Sequence, residues 1–446
     1  MRIAAILGAI LIALPLAVAA QQGPGPAAEA DRRAMLDRLA IVETRQGADG
    51  FNRNAPNASN QDEAKAGPVA PLPDPLRMAD GRKVTSAAMW WRERRPEIVA
   101  AFDRDIYGRV PASAPTIAWH QVKEERATEA GMPVIKRWLE GMAGVAPGPS
   151  ASIQLRYTVP AEAYGQVPVM LSFGFPEGFK FPGPPHPPEP GPDWTEQLLQ
   201  RGWGYAVVVA NSIQADNGGE LKTGVIGVSL NGKPRDPEDW GVLRAWAWGA
   251  SRAREALARD PRVDGRRIGI TGHSRWGKAA LVAMAYDPDF AIGYISSSGL
   301  GGAAPYRRDF GERIGNLAAS GEYHWFAGNF LTYAGPLRET DLPIDSNLLI
   351  ALAAPRPIFL GAGTVAGGDG WVDGKGSFDA AAAAAPVWRL LGKPGLSATD
   401  FPPVGTAVVD GTIGYRQHPG GHTPAPNWPT FLDFAGKRLG RAPQTH

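Results

Sequence analysis

The residue of this sequence best suited to nucleophilic chemistry is a serine between two glycines. Residues 268–271 form a short apolar run, residues 272–278 read GHSRWGK, and an apolar helical pattern follows. A serine at such a strand-to-helix bend lies above the sheet, and backbone N–H groups at the helix start can hold a tetrahedral oxyanion. Ser274 is therefore the predicted nucleophile, although its Gly-x-Ser-x-x-Gly spacing is one residue longer than usual.

The same run also matches the start of a phosphate-binding loop. Residues 272–278 contain Gly-x-x-x-x-Gly-Lys, but such a loop needs Ser or Thr at the next position to ligate magnesium. Ala279 stands there and has no oxygen to offer. A nucleotide is therefore not the predicted ligand.

A serine nucleophile needs a base, which should follow it in the chain. His422 lies in a Gly/Pro-rich loop just before a helical pattern at residues 428–439, where a base is expected. His418 is the nearby alternative, and His324 is the more distant one.

The acid that orients the base should lie between the serine and the histidine. Asp369, in a glycine-rich loop after the apolar run at residues 357–361, is the predicted acid. Asp373 is the alternative, and either aspartate could instead be a surface residue of a glycine turn.

Alternating strands and helices are predicted to position these residues. From residue 71 onward, apolar runs of strand length alternate with helical patterns, which predicts a mostly parallel sheet in one α/β domain. The Pro-rich residues 181–192 predict a surface loop. The predicted strands are 167–173, 205–210, 267–271, 291–295 and 357–361, and the predicted helices are 240–257, 277–286 and 428–439.

Composition excludes several classes of function. The 446 residues include 46 Lys and Arg against 44 Asp and Glu, a net charge of +2, so no strong field recruits nucleic acid. The chain has no cysteine, which excludes disulfides, a thiolate nucleophile and cysteine-ligated metals. Since a His-Glu-x-x-His motif is also missing from the sequence, no metal or organic cofactor is expected.

The N-terminus has the pattern of a secretory signal. Arg2 precedes an apolar run at residues 3–20 that ends in small residues, which predicts a signal peptide over residues 1–20. An uncleaved membrane anchor is the alternative, but the run is short for a span and contains Pro15. We expect a periplasmic or secreted protein with no stable membrane span after cleavage, an extension and linker at residues 21–66, and a catalytic domain at residues 67–446.

Motifs along nearly the whole mature chain carry a family resemblance. The sequence resembles the glucuronoyl esterases of carbohydrate esterase family 15, which are α/β-hydrolases cleaving esters between glucuronoyl groups of xylan and lignin alcohols. The resemblance implies a three-layer sandwich around a mostly parallel central sheet. The motifs are LPDPL at 72–76, RRPEI at 94–98, WG at 240–241, WAWG at 246–249, GHSRWGK at 272–278, SGLGG at 298–302, HWF at 324–326 and APRP at 354–357.

The resemblance also implies roles for individual residues. Arg275 would lie beside the developing oxyanion, and Lys278 would donate hydrogen bonds to sugar hydroxyls. Glu312 would bind the sugar ring, and Trp371 would pack against it. The implied partners are glucuronoxylan and lignin–carbohydrate esters, and the protein is expected to be a monomer.

One position departs from the pattern of that family. Many members carry their catalytic acid as a Glu where this sequence has Ser297, and a neutral hydroxyl cannot stabilise an imidazolium as a carboxylate does. Some bacterial members instead carry an acid in Asp-x-Trp, a pattern present at residues 369–371. The predicted triad is therefore Ser274, Asp369 and His422. Two alternatives are a carbohydrate acetyl esterase with the same triad and a non-catalytic carbohydrate-binding relative.

Overall fold

The computed structural model describes residues 25–67, 70–144, 148–180 and 191–440. The predicted signal peptide and most of the predicted Pro-rich loop lie outside these residues. Within them, ten strands form a single sheet. The strands are β1 (Ala118–Glu129), β2 (Met132–Ala143), β3 (Ala151–Pro160), β4 (Val167–Gly174), β5 (Gly204–Val209), β6 (Val263–His273), β7 (Gly293–Ser296), β8 (Ile358–Ala362), β9 (Ala407–Val408) and β10 (Ile413–Gln417).

The centre of the sheet is parallel, as predicted. The strand order is β1-β2-β3-β5-β4-β6-β7-β8-β10-β9, and the run from β5 to β10 pairs in parallel throughout. All five predicted strands are present as β4 to β8, with β6 starting earlier than predicted, at Val263. The carboxyl ends of these parallel strands meet at one edge, where active sites of open α/β sheets are found.

An antiparallel wing of three long strands was not predicted. β1, β2 and β3 pair antiparallel and continue the sheet beyond β5. Strand β1 reads AWHQVKEERATE and is exposed along most of its length. Because charged side chains occupy both faces of this edge strand, it has no apolar alternation from which a strand could be recognised.

Helices cover both faces of the sheet and complete the three layers. Along β8, Ile358 and Leu360 join the large core on one face, whereas Phe359 packs on the other with Phe431 and Phe434 of the terminal helix. This alternation confirms the expected α/β-hydrolase sandwich. The helices are α1 (Pro26–Arg38), α2 (Ala87–Met89), α3 (Arg95–Asp105), α4 (Trp194–Leu199), α5 (Ala210–Ile213), α6 (Gly224–Ser229), α7 (Val242–Leu257), α8 (Arg275–Tyr286), α9 (Ile314–Leu317), α10 (Ser346–Ala351), α11 (Gly374–Leu390) and α12 (Trp428–Leu439).

The segment before residue 67 packs closely on the rest of the fold. Met35 and Leu36 of α1, together with Ile41 after it, belong to the large core. The Arg32 guanidinium donates a hydrogen bond to the Ala318 carbonyl at 2.7 Å. The predicted division into extension, linker and catalytic domain at residue 66 stays a prediction. Across the described ranges between residues 25 and 440, no helix combines the length and apolar character needed to cross a membrane.

Candidate active site

Ser274 occupies a strained bend between β6 and α8. Its φ of 59° and ψ of −130° lie in a region that non-glycine residues rarely adopt. The glycines on either side permit the close approach of neighbouring backbone. A Cβ at position 272 would lie 2.1 Å from the Trp276 carbonyl oxygen, and one at position 277 would lie 2.7 Å from the Ser296 carbonyl oxygen. The bend therefore needs both glycines, which explains the sequence spacing.

His422 and Asp369 form a short hydrogen bond beside this bend. His422 Nδ1 lies 2.6 Å from Asp369 Oδ1, and the Asp369 carboxylate is buried. The other carboxylate oxygen, Oδ2, accepts hydrogen bonds from the Ser297 hydroxyl at 2.7 Å and the Gly363 N–H at 2.6 Å. With Nδ1 committed to Asp369, the imidazole keeps Nε2 for proton transfer.

His273, next to the serine in the chain, packs against the His422 ring. The two imidazole rings lie with centroids 4.3 Å apart, and His273 immediately precedes Ser274. Burial, together with the neighbouring charge of His422, lowers the pKa of His273 well below its usual value. A neutral ring therefore lies against His422 and does not oppose the charge that a base acquires.

The alternative base and the alternative acid are engaged elsewhere. His418 Nδ1 accepts a hydrogen bond from the Gly420 N–H at 3.0 Å, within its own loop. Asp373 pairs with Arg308 at 2.9 Å and accepts the Gly376 N–H at 2.9 Å, which caps the start of α11. Burial raises the pKa of Asp373 to about 6, although the positive charge of Arg308 acts to lower it.

Arg275 is held by an aspartate that the sequence interpretation missed. Arg275 Nη1 lies 2.6 Å from Asp216 Oδ2. The second oxygen, Oδ1, contacts His324 Nε2 at 3.0 Å and accepts the indole N–H of Trp325 at 2.6 Å. Burial alone would raise the pKa of Asp216, but the bond from His324 and the charge of Arg275 hold it well below its usual range. His324, an alternative base in the sequence, thus contacts the carboxylate that orients Arg275.

Lys278 and Glu312 form a buried ion pair. Lys278 Nζ lies 2.9 Å from Glu312 Oε2 and donates to the Leu300 carbonyl at 2.5 Å. Glu312 Oε2 also accepts the Leu300 N–H at 3.0 Å. The side chains of Lys278 and Glu312 are only 5% and 4% exposed to solvent. Each buried charge is therefore stabilised by the other and by these backbone groups.

Trp371 lies directly beside this pair. It belongs to a short 3-10 helix, Gly370–Val372, and its carbonyl oxygen accepts the Glu312 N–H at 3.1 Å. The structure therefore brings together Lys278, Glu312 and Trp371, which were predicted to contact the sugar, next to the loop that carries Asp369.

A second carboxyl group missed in the sequence is Glu322. Its Oε2 atom is shielded from solvent and has no hydrogen-bond partner among the described residues. Burial, with the negative charge of Glu312 adding to it, raises the pKa of Glu322 to about 8. Asp216 follows the end of β5 by several residues, and that position at the carboxyl edge was an available signal. Glu322 has no comparable signal in the sequence.

Comparison with known proteins places the chain in a family. Residues 234–392 match the family described as "Glucuronyl esterase, fungi". The chain is 33% identical over 443 residues to "Carbohydrate esterase MZ0003" from an unknown prokaryotic organism, covering 92% of this chain and 98% of that protein. It is 29% identical over 347 residues to a 4-O-methyl-glucuronoyl methylesterase of Schizophyllum commune, covering 72% of this chain and 74% of that protein.

Solved structures agree with this assignment. A family 15 glucuronoyl esterase from Teredinibacter turnerae has 41% sequence identity and a TM-score of 0.86, covering 93% of this chain and all of that one. A glucuronoyl esterase from Solibacter usitatus has 35% identity and a TM-score of 0.75, covering 85% of this chain and all of that one. The chain therefore belongs to the glucuronoyl esterases of carbohydrate esterase family 15, and it is a carboxylic ester hydrolase.

Proposed function

We propose that this protein hydrolyses esters between glucuronoyl or 4-O-methyl-glucuronoyl groups of xylan and lignin alcohols, using Ser274, His422 and Asp369. The observation that carries the proposal is the 2.6 Å hydrogen bond between His422 and Asp369, beside a serine in a strained strand-to-helix bend. The relatives named above as glucuronoyl esterases support the substrate class.

In the first half of the reaction, His422 Nε2 takes the proton of the Ser274 hydroxyl while Oγ attacks the uronoyl carbonyl carbon. The tetrahedral intermediate then collapses, the bond to the alcohol oxygen breaks, and His422 returns the proton to the leaving alcohol. In the second half, His422 takes a proton from water, which attacks the acyl-enzyme. The second tetrahedral intermediate collapses, the bond from the carbonyl carbon to Ser274 Oγ breaks, and His422 returns the proton to Oγ, which releases the uronic acid and restores the serine.

Two groups stabilise the oxyanion of each intermediate in this proposal. Backbone N–H groups at the first turn of α8 supply neutral donors, and the Arg275 guanidinium supplies a positive charge. The bond from Arg275 Nη1 to Asp216 occupies one edge of the guanidinium and orients the rest. Because the charge develops only in the transition state, this contact accelerates the reaction more than it tightens substrate binding.

Sugar recognition is assigned to the group beside the elbow. Lys278 and Glu312 can exchange hydrogen bonds with sugar hydroxyls while remaining paired with each other at 2.9 Å. Trp371 offers an apolar ring face suited to the C–H face of a pyranose. A simple acetate carries no sugar hydroxyl for this pair, so the arrangement favours a sugar ester, and the glucuronoyl esterase relatives favour a sugar acid ester among these.

The place of action follows from the predicted signal peptide at residues 1–20. We propose that the mature protein acts as a monomer in the periplasm or the medium, where glucuronoxylan and its lignin esters are encountered.

The proposal is tested by acid release from benzyl glucuronate by the purified mature protein, beside Ser274→Ala and beside an aryl acetate as control ester. We expect glucuronate cleavage that depends on Ser274, with weak acetate turnover. A preference for acetate would instead indicate a carbohydrate acetyl esterase. Sugar binding without turnover of either ester would indicate a non-catalytic relative.

A further inference from the structure

Residues 49–61 form a loop that is held by its own hydrogen bonds and contains no helix. The Asp49 N–H donates to the Asn57 carbonyl at 2.8 Å, and the Ser59 N–H donates to the Asp49 carbonyl at 2.8 Å, which closes the loop. Asp49 Oδ1 accepts the N–H groups of Phe51 and Asn52, each at 2.8 Å. These bonds fix the turn at the start of the loop. We call residues 49–61 the N-terminal loop.

The end of the N-terminal loop clamps the turn that precedes Glu312. The Asn60 carbonyl accepts the Gly311 N–H at 2.8 Å, and the Ser59 hydroxyl donates to the Gly311 carbonyl at 3.0 Å. The Asn60 amide donates to the Asp309 carbonyl at 2.6 Å. Three hydrogen bonds thus hold the backbone immediately before a carboxylate assigned to sugar binding.

The same loop also packs on the short helix that carries Trp371. A Cβ at position 50 would lie 2.7 Å from Trp371 Cζ3 and 3.0 Å from Cε3, so only a glycine lets the backbone come this close to the indole ring. Gln61 packs on the neighbouring Gly370, where a Cβ would lie 2.7 Å from the amide carbon of Gln61. The Arg53 guanidinium donates to Gln61 Oε1 at 2.6 Å, which steadies that amide.

These contacts join three separate parts of the chain: the N-terminal loop, the turn at residues 311–312 and the short helix that carries Trp371. We call this group the sugar wall. The Glu312 N–H donates to the Trp371 carbonyl, and the N-terminal loop contacts Trp371 and Gly311, the residue before Glu312. We propose that the N-terminal loop positions Glu312 and Trp371 and thereby determines specificity for the uronoyl sugar. Gly50, Ser59 and Asn60 are positioning residues in this proposal, which rests on the proposed function. Ester cleavage as such, at Ser274 and His422, does not depend on them.

Gly50→Ala tests the proposal most sharply. Its backbone is not in the left-handed region, so the added methyl group strains nothing except the contact with the Trp371 ring. Gly67→Ala is the matched control, because a Cβ there has no neighbour within 4 Å among the described atoms. Asn60→Ala is an independent variant that removes the bond to Asp309 and leaves Gly50 intact.

The measurement compares KM and kcat for benzyl glucuronate with kcat/KM for an aryl acetate, which makes no use of the sugar wall. We expect Gly50→Ala to raise KM for the glucuronate about tenfold, and Asn60→Ala about threefold, with acetate turnover within about twofold of wild type. Gly67→Ala should match wild type on both esters.

Two results would overturn the proposal while leaving the proposed function intact. In one, the wild type cleaves benzyl glucuronate, and both Gly50→Ala and Asn60→Ala match Gly67→Ala. In the other, both variants lose activity on the two esters equally, which marks a merely structural role. If the wild type fails to cleave benzyl glucuronate, the proposed function falls, and this inference falls with it.

Discussion

The hydroxyl of Ser297 donates a hydrogen bond to Asp369 Oδ2 across 2.7 Å, at the position where relatives were expected to carry their catalytic glutamate. Ser297 follows β7 with a positive φ of 43°, and Asp369 lies in the loop after β8. The serine thus contacts the carboxylate that holds His422. A neutral residue at that position therefore donates to the aspartate that we propose as the acid, which lies in the loop after the neighbouring strand.

Removing the Ser297 hydroxyl should slow the reaction without weakening substrate binding. A hydrogen bond to a charged group contributes about 1.5–3 kcal/mol, so we expect kcat for Ser297→Ala to fall about tenfold, with KM unchanged. Ser297→Gly separates this effect from backbone strain, because glycine tolerates the positive φ. We expect it to lose a similar amount of kcat while its melting temperature does not fall. Full kcat in both variants would show that the hydroxyl is dispensable.

Substitution should distinguish Asp369 from Asp373 as the catalytic acid. Asp369→Ala leaves His422 without its partner, and we expect kcat for benzyl glucuronate to fall by about a hundredfold to ten-thousandfold. Asp373→Asn weakens the pair with Arg308 and the cap of α11, so we expect a lower melting temperature with kcat near wild type. The reverse outcome, with activity lost only in Asp373→Asn, would make Asp373 the acid.

Arg275 should not be replaceable by lysine. Its guanidinium can bind Asp216 with one edge and an oxyanion with another, whereas an ammonium group on a shorter stem offers no such planar fork. We expect Arg275→Lys to lose kcat by about tenfold or more, and Asp216→Asn, which frees the guanidinium to rotate, to lose a comparable amount. Single-turnover measurements on benzyl glucuronate show whether the loss of rate arises in the acylation step. Unchanged acylation in Asp216→Asn would refute the coupling.

The buried pair of Lys278 and Glu312 should affect stability and binding in different ways. Removing one partner leaves an uncompensated buried charge, and we expect Lys278→Met or Glu312→Met to cost about 3–5 kcal/mol of unfolding free energy. The double variant should cost less than the sum of the two. Its KM for benzyl glucuronate should nevertheless stay raised, because both polar contacts to the sugar are gone. Strictly additive losses in denaturant unfolding would contradict the coupling.

Glu322 should make stability depend on pH in the neutral range. Burial raises its pKa to about 8 from an ordinary value of 4.5, so at intermediate pH the folded protein retains a proton that the unfolded chain has released. The contribution of this carboxyl to stability is therefore most favourable below the ordinary pKa and falls as pH rises toward 8.

Glu322→Gln removes that titration. We expect the melting temperature of the variant, relative to wild type, to increase between pH 5 and pH 9, corresponding to a free-energy difference on the order of a few kcal/mol. Thermal unfolding of both proteins across this range checks the sign. A difference that stays constant with pH would mean that the carboxyl does not titrate there.

Sequence patterns were sufficient for the parts of the fold that carry continuous apolar runs of strand length or an apolar helical pattern. The buried strands β4 to β8 and the helices α7, α8 and α12 were predicted close to their observed bounds, because these patterns mark them. In the wing formed by β1 to β3, strand β1 escaped prediction because it is charged on both faces. The third strand, β3, does carry an alternating signal, because Ile153, Leu155 and Tyr157 are buried while Gln154 and Arg156 between them are polar, and the sequence interpretation passed over it.

Within the site, the residues near a motif could be predicted, and those reaching in from elsewhere could not. Ser274, Arg275 and Lys278 share one turn of chain, so a single pattern predicted all three. Asp216 contacts Arg275 only because β5 and β6 end at the same edge of the sheet, and that proximity is a property of the topology. The contact of Gly50 with Trp371 is likewise invisible in a segment that reads as a polar extension.

The bond between Ser59 and Gly311 joins residues 252 positions apart in the chain. A contact of such long range forms only when the entropy of closing a large loop has been overcome. Within the described part of the chain, the sheet pairs only strands from residue 118 onward, so its formation alone does not bring the N-terminal loop against Gly311 and Trp371. In the proposal, uronoyl specificity returns on refolding only when the N-terminal loop has docked, and its recovery would report that this loop has reached the turn at Gly311.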